Sequence, residues 1–202
     1  TNRPGFNMWD ERYSNEQFAY GKEPNDFLRE EAGRLPVGKT LCLAEGEGRN
    51  AVFLARMGHA VTAVDLSLVG LDKAGRLARE HQVSIDRIHS DLADYRIAPE
   101  SWDAIVSVFA HVPLPLRQRV HRDVVAGLRP GGIFLLEAYT PEQLNYRTGG
   151  PPVEEMMMSL ESLEEELRGL EWLHAQDLVR DVQEGEFHHG RGAVVQLIGR
   201  KL

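Results

Sequence analysis

The chain has 202 residues, with 31 acidic against 23 basic side chains and a net charge of −8. Its 42% apolar and 27% charged residues are typical of a globular domain and exclude a disordered or fibrous chain. Because acid dominates and no basic run offsets it, binding to nucleic acid or to an anionic membrane surface is disfavoured. The apolar stretches are far shorter than a bilayer-spanning segment.

The N-terminus and the single cysteine indicate a compartment. The first residues are polar and contain no apolar signal core. Cys42 lies in an apolar run, has no partner for an internal disulfide, and is expected to be a buried strand thiol. The sequence therefore predicts a cytoplasmic protein.

Residues 1–35 mix aromatic and charged side chains and predict a helical lead-in segment. Asn25 and Asp26 follow a proline and are expected to cap a helix from Phe27 to Leu35. Three aromatic residues of this segment either form a lid over a ligand or pack an N-terminal helix on the sheet: Trp9, Tyr13 and Tyr20.

From residue 38 onward, apolar runs alternate with helical patterns. Such alternation predicts right-handed βαβ units and a parallel sheet that is covered on both faces. The predicted strands are 40–44, 60–64, a weak one around Ile88, 104–109 and 133–138, and the predicted helices are 51–57, 68–81 and 116–128.

The C-terminal part has a different pattern. Ser162 and Glu165 predict a capping box for a short acidic helix. Residues 172–182 and 193–200 predict an antiparallel hairpin. The sequence thus predicts one α/β domain, with the lead-in at 1–35 and a core at 38–202. The core is expected to be a Rossmann-like, seven-stranded, mainly parallel sheet with an antiparallel C-terminal hairpin.

A glycine turn follows the first strand. The segment Gly46–Ala51 fits the pattern G-x-G-x-x-A, and Asp65 ends the next strand 17 residues after Gly48. Glycines at such a turn let a ligand approach the backbone, and a carboxylate after the second strand suits a ribose diol. The alternative is a turn that is only tightly packed.

The charge of this turn discriminates between ribose ligands. Glu45 and Glu47 flank Gly46, and two carboxylates beside a pyrophosphate would repel it. S-adenosylmethionine carries a ribose, an ammonium group and a sulfonium but no phosphate. The turn therefore favours S-adenosylmethionine over NAD.

Five segments together resemble class I S-adenosylmethionine-dependent methyltransferases: Leu41–Asn50, Ala63–Ser67, Ser90–Leu92, Trp102–Val106 and Leu128–Gly132. The resemblance covers about residues 40–138. The lead-in segments Trp9–Tyr13, Tyr20–Gly21 and Glu23–Leu28 are similar to the tellurite-resistance and thiopurine branch. Cys42 and Ala44 depart from the family, which usually has an acid and a glycine there.

The resemblance implies roles for individual residues. Glu45 or Glu47 would face the ammonium group, and Asp65 would accept the ribose hydroxyls. Phe109 and Ala110 would lie beneath the sulfonium. The full implied cofactor set is Trp9, Tyr13, Tyr20, Glu45, Gly46, Glu47, Gly48, Asn50, Asp65, Leu66, Ser67, Asp91, Leu92, Phe109 and Ala110.

The acceptor is expected at the carboxyl ends of the strands. The candidates there are His111, Tyr20, Tyr139, Tyr146 and Arg147, although His111 could equally be structural and the Tyr146–Arg147 pair a surface loop. Adjacent histidines at 188 and 189 do not match zinc-ligand spacing, so no metal is predicted, and an exposed turn is expected.

The sequence therefore predicts an enzyme that transfers a methyl group to a small molecule by in-line displacement, with alignment and water exclusion as its main contributions. The branch resemblance implies a thiol, a selenium or tellurium compound, or a similar soft nucleophile as acceptor. Two alternatives remain open at this point: an NAD(P)-dependent oxidoreductase, and a protein that binds S-adenosylmethionine without catalysis. The sequence does not predict an oligomeric state.

Overall fold

The structure, a computed structural model, describes residues 4–151 and 153–202, so residues 1–3 of the predicted lead-in lie outside it. Seven strands form one sheet in the order β3-β2-β1-β4-β5-β7-β6. The strands are β1 Lys39–Leu43, β2 Ala60–Asp65, β3 Asp86–His89, β4 Trp102–Val108, β5 Leu128–Tyr139, β6 Leu170–Glu184 and β7 His188–Lys201. The first five run parallel, and β7 pairs antiparallel with both β5 and β6. The predicted seven-stranded sheet with its antiparallel hairpin is confirmed.

Six α-helices accompany the sheet in the described residues: α1 Pro4–Tyr13, α2 Asp26–Glu31, α3 Arg49–Arg56, α4 Leu68–Glu80, α5 Leu114–Gly127 and α6 Leu160–Glu166. Short 3₁₀ turns occupy Ala32–Arg34, Pro141–Asn145 and Glu154–Met156. The cap predicted for α2 is confirmed, because the Asn25 side chain accepts a hydrogen bond from the Leu28 N–H at 3.0 Å. The helix is shorter than predicted and ends at Glu31, since Gly33 is a poor helix former.

The core lies on both faces of the sheet. On one face Leu41 packs with Ile105 and Phe134, and on the other Cys42 packs with Val106. Because successive strand residues point to opposite faces, a strand covered on both sides is apolar throughout. Cys42 is a fully buried free thiol, as expected. No helix in the described part of the chain is both long and apolar enough to span a bilayer.

The capping box of α6 is one turn earlier than the sequence pattern predicted. Ser159, which has extended dihedrals, accepts from the Ser162 N–H at 3.1 Å, and the Ser162 hydroxyl accepts from the Ser159 N–H at 3.1 Å. The prediction that Ser162 and Glu165 form this box is wrong. Ser162 is already helical, and this register buries Leu163 completely.

The parallel register brings several strand ends together. Leu43 of β1 pairs with Val64 of β2 on one side and with Ser107 of β4 on the other. The residues that directly follow these three strands therefore meet at one edge of the sheet. This edge is the position where open α/β sheets hold their ligands.

Candidate functional site

A cavity of about 400 Å³ opens at this edge, at the carboxyl ends of β1, β2 and β4 and under α1. Most of the predicted cofactor residues contribute to its wall: Trp9, Tyr13, Tyr20, Glu45, Asn50, Asp65, Leu66, Asp91, Leu92, Phe109 and Ala110. The structure does not bring Gly46, Glu47, Gly48 or Ser67 to this wall.

Glu45 is the carboxylate of the glycine turn that reaches the cavity. Its Oε1 accepts hydrogen bonds from the N–H groups of Asn50 and Ala51, at 2.9 and 2.8 Å, in the first turn of α3. Burial raises the pKa of Glu45 to about 7, against the lowering effect of the Ala51 N–H bond and of Arg49. The side chain can therefore change charge near neutral pH.

Glu47 points away from the cavity and anchors the lead-in segment. Its Oε1 accepts from the Ala19 N–H at 2.7 Å, and its Oε2 forms a buried ion pair with Lys73 of α4. Lys73 also donates to the carbonyls of Asn15 and Gln17, at 2.6 and 2.8 Å. Of the two carboxylates that the sequence offered for an ammonium group, only Glu45 faces the cavity.

Gly46 and Gly48 determine the geometry of the glycine turn. Gly48 has φ +92°, a left-handed conformation that favours glycine, and a Cβ built on it would lie 2.7 Å from Ala74 Cα. This position thus allows α3 and α4 to approach each other closely. Gly46 donates its N–H to Asp65 Oδ2 at 2.7 Å, which joins the turn to the end of β2.

Asp65 is held by backbone groups at the cavity wall. Besides the bond from Gly46, its Oδ1 accepts from the Ser67 N–H at 2.8 Å. Burial raises the pKa of Asp65 to about 6, although these bonds lower it. Ser67 itself is fully buried as the N-cap of α4 and donates to Asp10 of α1 at 2.5 Å, so its side chain fixes the lead-in helix.

Asp91 and Leu92 follow β3 and line the cavity. The Asp91 carboxylate accepts from the Ala93 N–H at 2.9 Å, so this residue caps a turn while it also contributes to the wall. Phe109 follows β4 with φ +51°, and its ring stacks on Tyr139 with 4.7 Å between the centroids.

His111 lines the cavity but has both ring nitrogens engaged. Its Nδ1 lies 2.9 Å from the carbonyl of Met156, and its Nε2 lies 3.2 Å from the backbone N of Tyr139. The carbonyl can only accept and the N–H can only donate, so the ring is neutral with its proton on Nδ1. Burial lowers the pKa of His111 to about 4. The histidine therefore supports the wall and has no nitrogen available as a base.

The other predicted acceptor residues differ in position. Tyr20 lines the cavity, but Tyr139, Tyr146 and Arg147 do not. Tyr139 is fully buried beneath Gly150, where a Cβ would lie 2.8 Å from its ring. The Tyr139 hydroxyl has no hydrogen-bond partner among the described residues.

The wall residues that sequence reasoning missed include two arginines and two rings, Arg12, Arg49, Phe187 and His188. The expected exposed turn around His188 is wrong. The β6–β7 turn comprises only residues 185–187, which leaves His188 in a strand with 8% exposure. Its ring contacts those of Tyr20 and Phe109, with centroid distances of 4.6 and 4.7 Å. Burial lowers the pKa of His188 to about 3, so the ring is neutral.

Arg12 connects the lead-in helix to the hairpin. Its guanidinium lies 4.9 Å from the Trp9 ring centroid and 4.6 Å from that of Phe187, and it donates to the Tyr20 hydroxyl at 3.0 Å. Cation–π contacts of this kind favour the closed arrangement of α1 over the cavity.

A buried polar network borders the cavity. Arg49 donates through Nη2 to Glu184 Oε2 at 2.8 Å, and Arg180 bonds both Glu137 and Glu184. Asn25 donates to both carboxylates, at 2.8 and 2.7 Å. Two guanidinium groups thus balance two carboxylates. Although burial raises it, the neighbouring arginines hold the pKa of Glu184 below its usual value.

Comparison with known proteins finds one family model that matches part of the chain. Residues 41–132 match the family model described as "Methyltransferase domain". No curated protein matches the chain in sequence at a significant level. Within the residues that the structure describes, no group of three or more histidine, cysteine or acidic side chains could hold a metal ion.

Solved structures share the fold at low sequence identity. TehB from Haemophilus influenzae has a TM-score of 0.70 and 17% identity, and the match covers 97% of this chain and 66% of TehB. The N-methyltransferase NodS from Bradyrhizobium japonicum WM9, in complex with S-adenosyl-L-homocysteine, has a TM-score of 0.70 and 15% identity over 97% of both chains. A methyltransferase structure from Clostridium acetobutylicum has a TM-score of 0.67 and 16% identity, covering 96% of both chains.

The chain is therefore similar to S-adenosylmethionine-dependent methyltransferases, in sequence over residues 41–132 and in fold over nearly its whole length. The cavity fits the cofactor, because it places carboxylates of Glu45 and Asp65 beside the glycine turn, where a cation and a diol can be bound and a pyrophosphate would be repelled. The match over residues 41–132 favours a methyltransferase over the NAD(P)-dependent oxidoreductase.

Proposed function

We propose that the chain is an S-adenosylmethionine-dependent methyltransferase that acts on a small, soft nucleophile, such as a thiol or a selenium or tellurium compound. The observation that carries the proposal is the cavity of about 400 Å³, whose wall includes the rings of Tyr20, Phe109 and His188. A cavity of this volume, lined on one side by α1, suits a small molecule better than a polymer segment.

The proposed arrangement assigns the cofactor to the glycine-turn side of the cavity. Glu45 faces the ammonium group, Asp65 accepts the ribose hydroxyls, and Asp91 with Leu92 borders the adenine. Phe109 and Ala110 lie nearest the sulfonium. The cofactor supplies an electrophilic methyl group, and the protein aligns the acceptor with it and excludes water.

The protonation states of the two histidines in the cavity wall support a soft acceptor. His111 has no nitrogen available to accept a proton, and His188 is a weak base because burial lowers its pKa to about 3. A general base is needed only when the nucleophile carries a proton at neutral pH. Acceptors that are already anionic, such as a thiolate or a metalloid anion, therefore suit this site best.

The proposal also includes a domain organisation, in which the lead-in segment covers the cavity of the α/β core. The described part of the lead-in, up to residue 35, forms a lid, and the described residues from 38 onward form the α/β core. In support, Trp9, Tyr13 and Tyr20 line the cavity from the lead-in side. We further propose a reducing cytoplasm as the location, in keeping with the single buried free thiol of Cys42.

Two measurements test the proposal. Calorimetric titration of the folded protein with S-adenosylhomocysteine should show micromolar binding, and titration with NADH should show none. The variant Asp65→Asn should bind S-adenosylhomocysteine about tenfold more weakly or worse. Asp86→Asn, on the exposed strand β3, is the matched control and should bind as the wild type. Absence of binding at millimolar ligand would contradict the cofactor site.

The acceptor is tested separately with a methyl-labelled cofactor and a panel of thiols, selenite, tellurite and phenols. We expect label transfer to at least one thiol or metalloid and none to the phenols, which need a base. Transfer to phenols alone would overturn the soft-nucleophile proposal. Binding of S-adenosylhomocysteine without transfer to any acceptor would favour the non-catalytic alternative.

A further inference from the structure

Three consecutive methionines lie between β5 and α6, in a segment of residues 154–158 that we call the methionine segment. Met156 ends the short 3₁₀ turn of this segment and is half-buried in the cavity wall. Met157 and Met158 are buried in the protein. Of these three thioethers, only that of Met156 belongs to a residue of the cavity wall.

Side chains from outside the methionine segment bind three of its carbonyl groups in a row. Arg117 of α5 donates through Nη1 to the carbonyl oxygens of Glu155 and Met157, at 3.1 and 2.8 Å. The Met156 carbonyl between them accepts from His111 Nδ1 at 2.9 Å. Because so short a 3₁₀ turn leaves its last carbonyls without helical partners, these bonds satisfy them and hold the backbone in place. Arg117 and His111 therefore fix how Met156 enters the cavity wall.

The Arg117 guanidinium is itself held by a buried carboxylate. Its Nε and Nη2 donate to Glu166 Oε1 of α6, at 3.1 and 2.8 Å, and His121 Nδ1 lies 2.6 Å from Oε2 of the same residue. The side chains of Arg117 and Glu166 are only 4% and 6% exposed. Although burial raises it, the bonds from His121 and Arg117 hold the pKa of Glu166 below its usual value. The planar guanidinium thus joins α6 to the methionine segment, which a single ammonium group is less suited to do.

Met156 lies on the side of the cavity away from the proposed cofactor carboxylates. Those carboxylates lie at the ends of β1, β2 and β3, which form one half of the sheet. Met156 is bonded to His111, which follows β4, and the Met158 N–H donates to the carbonyl of Tyr139 at the end of β5 at 2.9 Å. The methionine segment therefore covers the β4–β5 half of the cavity.

We propose that Met156 contacts the methyl acceptor and selects for a soft nucleophile, and that Arg117 and Glu166 are positioning residues that hold it there. A thioether is polarisable and makes dispersion contacts with sulfur, selenium or tellurium, but it has no hydrogen-bond donor for a hydrated oxygen anion. This inference rests on the proposed function and adds to it the side chain that recognises the acceptor.

The first test measures the acceptor and the cofactor separately. The acceptor probes are 2-mercaptoethanol and selenite, whose sulfur or selenium lone pair takes the labelled methyl group while the electron pair of the broken bond stays on S-adenosylhomocysteine. Met156→Ala should raise the acceptor KM about tenfold or more and change the affinity for S-adenosylhomocysteine less than about twofold. Met156→Leu, which keeps most of the volume, should recover part of this loss. Met57→Ala removes an exposed methionine at the end of α3 and should change neither value.

The second test asks whether Arg117 acts through Met156. Arg117→Lys keeps a cation for Glu166 but lacks the fork, so it should also raise the acceptor KM and leave the affinity for S-adenosylhomocysteine within about twofold. In the Met156→Ala background the same substitution should add less than about twofold, because the contact that it positions is already gone. Arg122→Lys, at an exposed position of the same helix, is the matched control and should have no effect in either background.

The retained affinity for S-adenosylhomocysteine shows that each variant is folded. The inference is overturned by an unchanged acceptor KM in Met156→Ala, by an equal loss of cofactor affinity, or by independent effects of the two substitutions. If the wild type binds S-adenosylhomocysteine but methylates neither probe, the soft-acceptor part of the proposed function fails instead, which is a distinguishable result.

Discussion

The buried ion pair between Lys73 and Glu47 allows a quantitative prediction. Their side chains are 2% and 3% exposed, and the pair connects α4 to the glycine turn. Lys73→Met removes the ammonium and leaves the Glu47 carboxylate buried with the Ala19 N–H as its remaining partner. Breaking one side of a buried pair costs about 3–5 kcal/mol, because the other charge stays desolvated without compensation.

The measurement is the free energy of unfolding from urea denaturation, followed by circular dichroism. In a chain of this size we expect Lys73→Met to lower Tm by roughly 6–20 °C, at about 2–4 °C per kcal/mol. Amide hydrogen exchange should also accelerate in residues 14–19, because Lys73 binds the carbonyls of Asn15 and Gln17.

Two controls separate charge burial from loss of packing. The double variant Lys73→Met with Glu47→Leu removes both charges and should recover most of the stability, since replacing a buried pair by apolar groups is often neutral. Lys22→Met breaks the exposed pair with Glu80, whose side chains are 50% and 56% exposed, and should cost less than about 1 kcal/mol. A cost below about 1 kcal/mol for Lys73→Met would refute the argument, as would a double variant less stable than either single one.

Three further predictions concern the turn and the helix caps. The affinity for S-adenosylhomocysteine should fall as the pH drops through about 7, because protonation of Glu45 removes the negative charge that faces the ammonium group. Calorimetry on Glu45→Gln should give a flat profile between about pH 7 and 8, which lies above the Asp65 pKa of about 6. Ser159→Ala should lower the free energy of unfolding by about 1 kcal/mol, whereas Glu165→Ala should change it by less than about 0.5 kcal/mol. A larger loss for Glu165→Ala than for Ser159→Ala would instead support a capping box formed by Ser162 and Glu165. Gly48→Ala should cost more than about 1 kcal/mol in urea denaturation because of its φ of +92° and the nearby Ala74, and an unchanged midpoint would contradict the close approach of the helices.

The parts of the molecule that could be predicted from the sequence are those set by local patterns. Apolar runs of strand length, each followed by a helical pattern, determine the parallel half of the sheet, and the register then brings the ends of β1, β2 and β4 together. The positions of Glu45 and Asp65 on the cavity wall follow from this, since Asp65 ends β2 and Glu45 lies two residues after the end of β1. The helices predicted at 68–81 and 116–128 are confirmed to within two residues.

The parts that could not be predicted depend on contacts between distant residues. Glu45 and Glu47 are equivalent in the sequence, and only the positions of α3 and α4 decide that one accepts from the Asn50 N–H while the other pairs with Lys73. His188 belongs to the wall only because β7 pairs with β5 beside the cavity. No local signal encodes such a pairing.

The three-residue turn between β6 and β7 has a consequence for the order of assembly. Its Glu186 N–H donates to the carbonyl of Ala19 at 3.0 Å, so a segment near the start of the chain and one near its end close the cavity together. During synthesis the five parallel strands precede this hairpin, and until it is made the wall lacks Phe187 and His188 and the guanidinium of Arg49 lacks Glu184. A nascent chain can therefore form its strands early but acquires a complete ligand pocket only when its last two strands have been made, which links cofactor loading to the final step of folding.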